Sequence, residues 1–502
     1  MRFTSLVIEL IRARPRLVVW IVVLLQAALW LFVALVFYRS PPTQLATLLA
    51  FGREYQVGTA LGPPLAAWLA DIAYRAAGNH MIGVYVLAEL CEVATFIALY
   101  HLSRAIVGSQ QAVLAVLLTM TVLAFSSPVL DFGPSIMARP LWALLLLHSW
   151  QLFGQRRGNA WFAWSIEAGL LLLTTPAAIG LLFLLLVFAL VTSGGRRTLR
   201  ALDPLFALLV VVVLALPYAI WLVRANVLAL PTLPQVADLE ARGIHMAWLF
   251  GGLVLGAATI PMLAFLNTSW FAGKGEEAPI IYRPPVEPLA RHFVYFFALA
   301  PALCAVLISG LFGLDRVIGG PGVLLVMSGL AVVVAAGDLI AMRRQRVLRA
   351  VWAAAIVAPA AGVVLGILLL PWTGAREITT SMPGRAISDF FDDSFARRTN
   401  HRLRAVAGDT EIASLIALHT GRPHLWIDAE PERTPWVTPA KFSETGGVVV
   451  WRASDTAGTP PPEIAKRFPG IVPEVPRAFE WLVTGRQPLL RIGWAIVRPK
   501  GQ

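Results

Sequence analysis

Apolar runs long enough to cross a bilayer recur along the first three quarters of this chain, and nothing constrains its fold more. At about 20 residues per crossing, eleven runs fall at 17–38, 81–102, 111–130, 136–153, 160–174, 177–193, 204–224, 244–268, 290–312, 322–341 and 348–372. The fifth and sixth are separated only by TTPAA. The 502 residues are 58% apolar and 14% charged, with mean hydropathy +0.71. Soluble domains carry about 25% charged residues, so the composition is that of an integral membrane protein.

The stretches between the runs set an expected orientation. Arg104, Arg156-Arg157, Arg196-Arg197-Arg200, Lys274-Arg283-Arg291 and Arg343-Arg344-Arg346-Arg349 fall in alternate connections. The intervening short connections, around 127–135, 175–177 and 313–321, contribute only Arg316. Positive charge is retained on the cytoplasmic side. The pattern therefore predicts a cytoplasmic N-terminus, eleven transmembrane helices and residues 373–502 on the far side. The net charge of +12 is accounted for by these loops, which argues against a nucleic-acid partner. Residues 1–16, with four arginines, read as a cytoplasmic amphipathic leader before a retained first helix, without a cleavable signal.

Residues 373–502 change character, holding 14 of the 29 acids. RLRAVAG (402–408), PHLWIDA (423–429) and GGVVVWRAS (446–454) read as strands, and DTEIASLIALHTG (409–421) as a helix capped by Asp409 and ended by Gly421. That alternation predicts a small soluble α/β layer, extracytoplasmic by the charge argument. Cys91 and Cys304 both lie in apolar runs, so no disulfide is expected, and no His or Cys spacing suits a metal.

The connection 39–80 is the longest on the outer side. It contains Arg53-Glu54, a glycine-bracketed turn, a Pro-Pro step and LAAWLADIA. Leu65, Trp68, Leu69, Ile72 and Ala73 recur at helical spacing, predicting a short helix over 61–77 along the membrane surface. The turn before it would face a cleft.

Four stretches carry a likeness to a known family: Gly62-Pro63-Pro64-Leu65 with Trp68, DFGPSIMARPLW (131–142), LLLLTTPAAIGLL (170–182) and VAGDTEIASLIALHTGRPHLWID in the C-terminal part. Together they resemble the GT-C superfamily of polytopic glycosyltransferases. The nearest branch is family-39-like, or PMT-type, which includes the lipid A aminoarabinose transferases. The resemblance implies a GT-C-like helical bundle with an extracytoplasmic α/β domain in a bacterial inner membrane. It also implies a polyprenyl-phosphate sugar donor and a lipid or cell-envelope glycan acceptor. Relatives carry an Asp-Glu pair at the start of the first outer loop; the matching Ser40-Pro41-Pro42-Thr43-Gln44 has no acid. A lysine that follows the fifth helix in relatives is replaced here by Thr174-Thr175-Pro176.

Inverting transfer needs a base at the acceptor hydroxyl and cations at the leaving phosphate. Glu54 is the acid nearest the expected place, with Arg53 beside it for the phosphate; a solvated loop pair is the plainer reading. Asp131 is either a second acid, orienting the acceptor or a divalent cation, or a helix cap. No cofactor is otherwise called for. Arg139, inside an apolar run, costs about 2.5–3.5 kcal/mol to insert, which suggests a lipid-phosphate contact or a side chain reaching the surface. Arg224 is placed similarly. Asp238, Glu240 and His245 follow PTLP, where a flap could help bind a sugar. Glu89, Glu92 and Glu167 read first as interhelical contacts, with a proton path as the functional alternative. Two other function classes stay open: a lipid or glycan transporter, and a non-catalytic GT-C-like protein that binds polyprenyl lipids.

Overall fold

The computed structural model describes residues 3–127, 131–227, 238–268, 279–373, 377–419, 421–427, 431 and 433–500. A helical bundle occupies the first three quarters and an α/β unit the remainder. By length and composition, five described helices suit a membrane crossing, or seven if two bent pairs each make one span. Lipid is the natural neighbour of their outer faces. On the helix Asp203–Arg224, only Ala207 and Val211 are buried, while Leu205, Phe206, Leu209 and Val213 are exposed.

Four of the expected helices take a different form, the run 244–268 being bent by 47° between Leu239–Gly256 and Thr259–Leu266. The runs 81–102 and 111–130 join into Ile82–Met120, broken only at Gly108 (φ 77, ψ 168). That segment stops ten residues short of the expected end. Thr121 turns back to donate its hydroxyl to the Leu118 carbonyl at 2.7 Å, and the extended Val122 leads into a single turn, Leu123–Ser126. The end of run 322–341 is not helical: after Ser328–Ala335 the chain forms strand β2 (Leu339–Ala341), paired antiparallel with β1 (Ile280–Tyr282). Arg283 accounts for this. Its buried guanidinium donates to the Val333 and Val334 carbonyls at 3.4 and 3.2 Å and to Asp338 at 3.1 Å. A cation thus caps the helix C-terminus and turns the chain back. Lys274 and the PTLP stretch lie outside the described residues.

The connection 39–80 is more structured than its sequence suggests. Thr43–Gly52 forms a helix that was not anticipated, followed by Leu65–Ala76. Gly52 lets the two pack closely, since a Cβ there would stand 2.1 Å from the Ala67 carbonyl oxygen. The second helix buries Ala66, Ala67, Ala70, Asp71 and Tyr74. Ile72, on the expected apolar stripe, is exposed. The expected stripe is thus divided: Leu65 is buried and Trp68, Leu69 and Ala73 are half-buried, while Ile72 faces outward.

In the C-terminal unit, β3 (Ala405–Gly408), β4 (His424–Trp426), β5 (Gly447–Arg452), β6 (Glu474–Phe479) and β7 (Leu490–Val497) form one sheet in the order β4-β3-β5-β7-β6. β3 runs parallel to β4 and β5, and β7 antiparallel to β5 and β6. The two antiparallel strands were not foreseen. Asp409 caps the helix Thr410–Leu418, accepting from the Glu411 and Ile412 amides at 3.0 and 3.1 Å. Helix Gly384–Thr399 covers β6 and β7 through Phe391, whose ring lies 5.5 Å from that of Trp494.

Gly408 ends β3 with φ +108, and a Cβ there would meet the Val450 carbonyl oxygen at 2.0 Å. Gly408→Ala should destabilise the protein by about 1–3 kcal/mol, the range for a strained backbone position. Gly180→Ala, where a Cβ meets nothing within 4 Å, should be neutral or mildly stabilising. Thermal unfolding of the full chain in detergent tests the contrast; equal melting temperatures for the two variants would refute it.

Candidate active site

The turn that follows helix Thr43–Gly52 meets the C-terminal domain edge-on. Helix Thr410–Leu418 packs on Thr43–Gly52, with the Thr47 and Ser414 hydroxyls 2.8 Å apart, and Phe51 stands edge-to-face on Trp436 at 5.4 Å. This apolar dock brings strand β4 against residues 53–55. The Glu54 carboxylate, 7% exposed, lies 2.7 Å from His424 Nδ1. In a neutral imidazole this pairing would put the proton on Nδ1 and leave Nε2 as the acceptor. The imidazole is about a third exposed (34%), and no partner for Nε2 is found among the described residues.

Beside this pair, Asp71 is wholly buried (0%). It accepts from Arg422 Nη2 at 2.7 Å, from Arg75 Nε at 2.6 Å and from the Tyr55 hydroxyl at 3.0 Å. Arg422 also lies over the Tyr74 ring at 5.2 Å. Tyr55 (φ 49) and Arg422 (φ 43) both hold left-handed backbone, and strained non-glycine residues of this kind gather at functional sites.

The cluster has three guanidiniums, Arg53, Arg75 and Arg422, against two carboxylates, Glu54 and Asp71. One positive charge is left over. Burial pulls the Arg53 guanidinium below its ordinary value; Glu54 opposes this, and Arg422 and Arg75 add to it. Two donors, Arg53 Nη1 and Arg422 Nε, are buried without a hydrogen-bond partner. Buried donors of charged groups seldom go unpaired, and an anion is the kind of group that would complete these two.

The structure brings Arg53 and Glu54 together but separates the other expected site residues. Asp131 is exposed, and its neighbours are Tyr38, Tyr85 and Arg316. Partial desolvation raises its carboxyl above the usual range, opposed by Arg316. It caps no helix: the cap position of Pro134–Phe153 is Gly133. Arg139 is buried in an ion pair with Glu92, its guanidinium 5.2 Å from the Phe125 ring, so its charge is met inside the bundle. Glu167 likewise meets His148 at 2.8 Å. Arg224 is exposed at the end of its helix. His245 lies within helix Leu239–Gly256 and donates from Nε2 to the Leu314 carbonyl at 2.8 Å, a tie between helices. Among the described residues, no three His, Cys, Asp or Glu side chains gather as metal ligands.

Sequence reasoning missed Arg422 and His424 and set Asp71 aside as part of the surface helix over 61–77. Nothing local tells that Arg422 arrives at Asp71 from 351 residues away.

The profile of the dolichyl-phosphate-mannose-protein mannosyltransferase family matches residues 62–221. The fold aligns with that of ArnT from Cupriavidus metallidurans bound to undecaprenyl phosphate: TM-score 0.58, 15% identity, covering 96% of this chain and 98% of that one. The apo form of the same protein gives TM-score 0.57 at 15% identity, covering 95% and 98%. The Archaeoglobus fulgidus oligosaccharyltransferase is a looser likeness, with TM-score 0.43, 13% identity and coverage of 86% and 69%. No curated protein matches by sequence. The fold is therefore that of ArnT. The chain resembles the PMT and ArnT type of GT-C glycosyltransferase, with the structural likeness extending over nearly its whole length and the profile over 62–221.

Asp71 holds the junction together, so its charge can be tested directly. Asp71→Asn leaves Arg422 buried without its counter-ion, which should cost about 3 kcal/mol, the low end for breaking a buried pair. Thermal unfolding and proteolysis at the domain junction should both move. An unchanged melting temperature would mean that solvent already screens this contact.

Proposed function

We propose that the protein is a glycosyltransferase that moves a sugar from a polyprenyl-phosphate donor to a lipid or envelope-glycan acceptor at the outer face of a bacterial inner membrane. The observation that carries the reading is a cation-rich cluster with unpaired buried donors, set at the junction of loop 39–80 and the C-terminal domain of a GT-C fold. In this reading Arg53 holds the leaving phosphate, with Arg422 behind it. The acceptor oxygen attacks the anomeric carbon, the bond from that carbon to the phosphate oxygen breaks, and polyprenyl phosphate departs with the electron pair. The acceptor proton passes to the Glu54–His424 pair, with Nε2 as the receiving atom and Glu54 holding the ring and stabilising its charged form. An apolar recess of about 480 Å³ between Tyr38, Thr380 and the Gly362–Gly366 face of helix Gln345–Thr373 gives a place for a lipid tail on the Asp131 side.

A second reading has one specific observation in its favour. The stretch Ser40–Gln44 has no acid, which suits a GT-C-like protein that binds polyprenyl lipid without transfer. Transfer of radiolabelled sugar into lipid and envelope fractions, in membranes from cells expressing the chain, separates the two. Wild type should transfer, while Glu54→Gln and His424→Asn should each lose about 100-fold or more, the usual contribution of a general base. Polyprenyl-phosphate binding should survive in both variants. Binding without transfer in the wild type would select the second reading.

The same proposal places residues 1–16 inside and domain 373–502 outside, on either side of bundle 17–372, as the eleven-span reading expects. Reporter fusions at Gly194 and Gly408 should score as cytoplasmic and extracytoplasmic respectively; one compartment for both would overturn it.

A further inference from the structure

At the end of the bundle away from the C-terminal domain, a recess of about 600 Å³ lies between Arg14, Arg16, Trp20, Tyr100, Arg104 and Ser109. Its position follows from helix Pro15–Phe37. The far end of that helix joins the C-terminal domain, where the Arg39 and Ser40 amides donate to the Thr380 carbonyl at 3.0 and 2.8 Å. Its 23 residues put the recess about 34 Å away at 1.5 Å per residue. That is close to the thickness of a bilayer's hydrocarbon core, about 30 Å. The recess therefore sits at the opposite membrane surface from the site described above.

From these features we infer that this recess is a binding site for an anionic glycerophospholipid. Three exposed guanidiniums converge on it from two elements, the Arg14-Pro15-Arg16 corner and the helix that carries Arg104. Among the described residues none of the three is paired with a carboxylate. Arg16 and Arg104 act on the same two side chains, Tyr100 and His101, which places both cations at one spot. The break at Gly108 makes Ser109 the start of a new helical segment, adding the positive end of a helix to the same recess. Trp20 and Tyr100 are the aromatic types that settle at a headgroup boundary.

A free phosphate would explain the cations but not what lies next to them. Leu17, Ile21, Leu24 and Leu25 are exposed along helix Pro15–Phe37, at i, i+4, i+7 and i+8 from the recess. They form an apolar track leading from the arginines into the membrane. A phosphate carried on acyl chains fits both halves. Basic pockets between spanning helices are known to select such headgroups.

The test uses the full-length protein, purified in detergent and exchanged into nanodiscs of phosphatidylcholine with or without phosphatidylglycerol or cardiolipin. Native mass spectrometry then counts the lipids that stay bound. Wild type should retain phosphatidylglycerol or cardiolipin in preference to phosphatidylcholine. The triple variant Arg14→Gln, Arg16→Gln, Arg104→Gln should weaken that retention on the order of 100-fold, taking a similar share from each cation. Replacing the same three residues by lysine keeps the charge and should keep most of the preference, which separates lost binding from a misfolded chain. Equal retention of phosphatidylcholine, or unchanged binding in the glutamine variant, overturns the site. Displacement of the lipid by millimolar inorganic phosphate alone would make it a free-anion site and overturn the lipid assignment. None of these readouts depends on sugar transfer, so the inference stands or falls apart from the proposed activity.

Discussion

The bundle and the C-terminal domain share one apolar core, and the candidate site depends on that sharing. The core runs from Trp30, Val33 and Ala34 on the first long helix, through Leu45, Leu49 and Phe51, to Leu415, Leu418, Val448 and Val449 beneath the sheet. Loop 39–80 is thus the shared layer between membrane and soluble parts. Burial of Leu49 and Phe51, each worth roughly 1.5–3 kcal/mol, fixes where the next three residues lie. Arg53, Glu54 and Tyr55 are carried to the domain edge by packing, and Asp71 then locks them against Arg422.

Such a junction also explains why charge can be concentrated there. Outside the hydrocarbon but under a domain roof, the cluster is partly desolvated, as the lowered Arg53 guanidinium indicates. Interactions between charges are stronger there than in water. Asp71 offsets two arginines and leaves Arg53 with a donor free. A phosphate arriving at this point would complete the set of hydrogen bonds.

Hydropathy made the helical bundle legible, because it follows from the bilayer and needs no knowledge of tertiary contacts. The Asp409 cap and the strands around 405, 424 and 447 were legible for a similar reason, since their signals are local. What escaped was set by distant partners. LIA at 339–341 looks like the tail of an apolar helix, and only Arg283, more than fifty residues earlier, makes it a strand. The stretch TQLATLLAFG looks like a polar-to-apolar loop, and it becomes a helix because Thr410–Leu418 covers it. Of the candidate site, Arg53 and Glu54 were found because the loop was conspicuous. His424 and Arg422 were hidden in a segment that reads as a strand entry, and their importance comes from contacts 370 and 351 residues away in sequence.

The intramembrane charges bear on the transporter alternative. A transporter would use acids and arginines within the bundle, kept open to a moving ion or substrate. Here, whereas Glu89 is buried with a carboxylate oxygen that has no hydrogen-bond partner, Arg139 is matched to Glu92 and Glu167 to His148, each pair holding one helix to another. Replacing either partner alone would strand the other in a low-dielectric interior, which accounts for their presence without a transported species. At the domain junction, Arg53 Nη1 and Arg422 Nε are buried without a hydrogen-bond partner. Chemistry requires unfilled hydrogen-bonding capacity, and these two donors are what the proposed site would offer a phosphate.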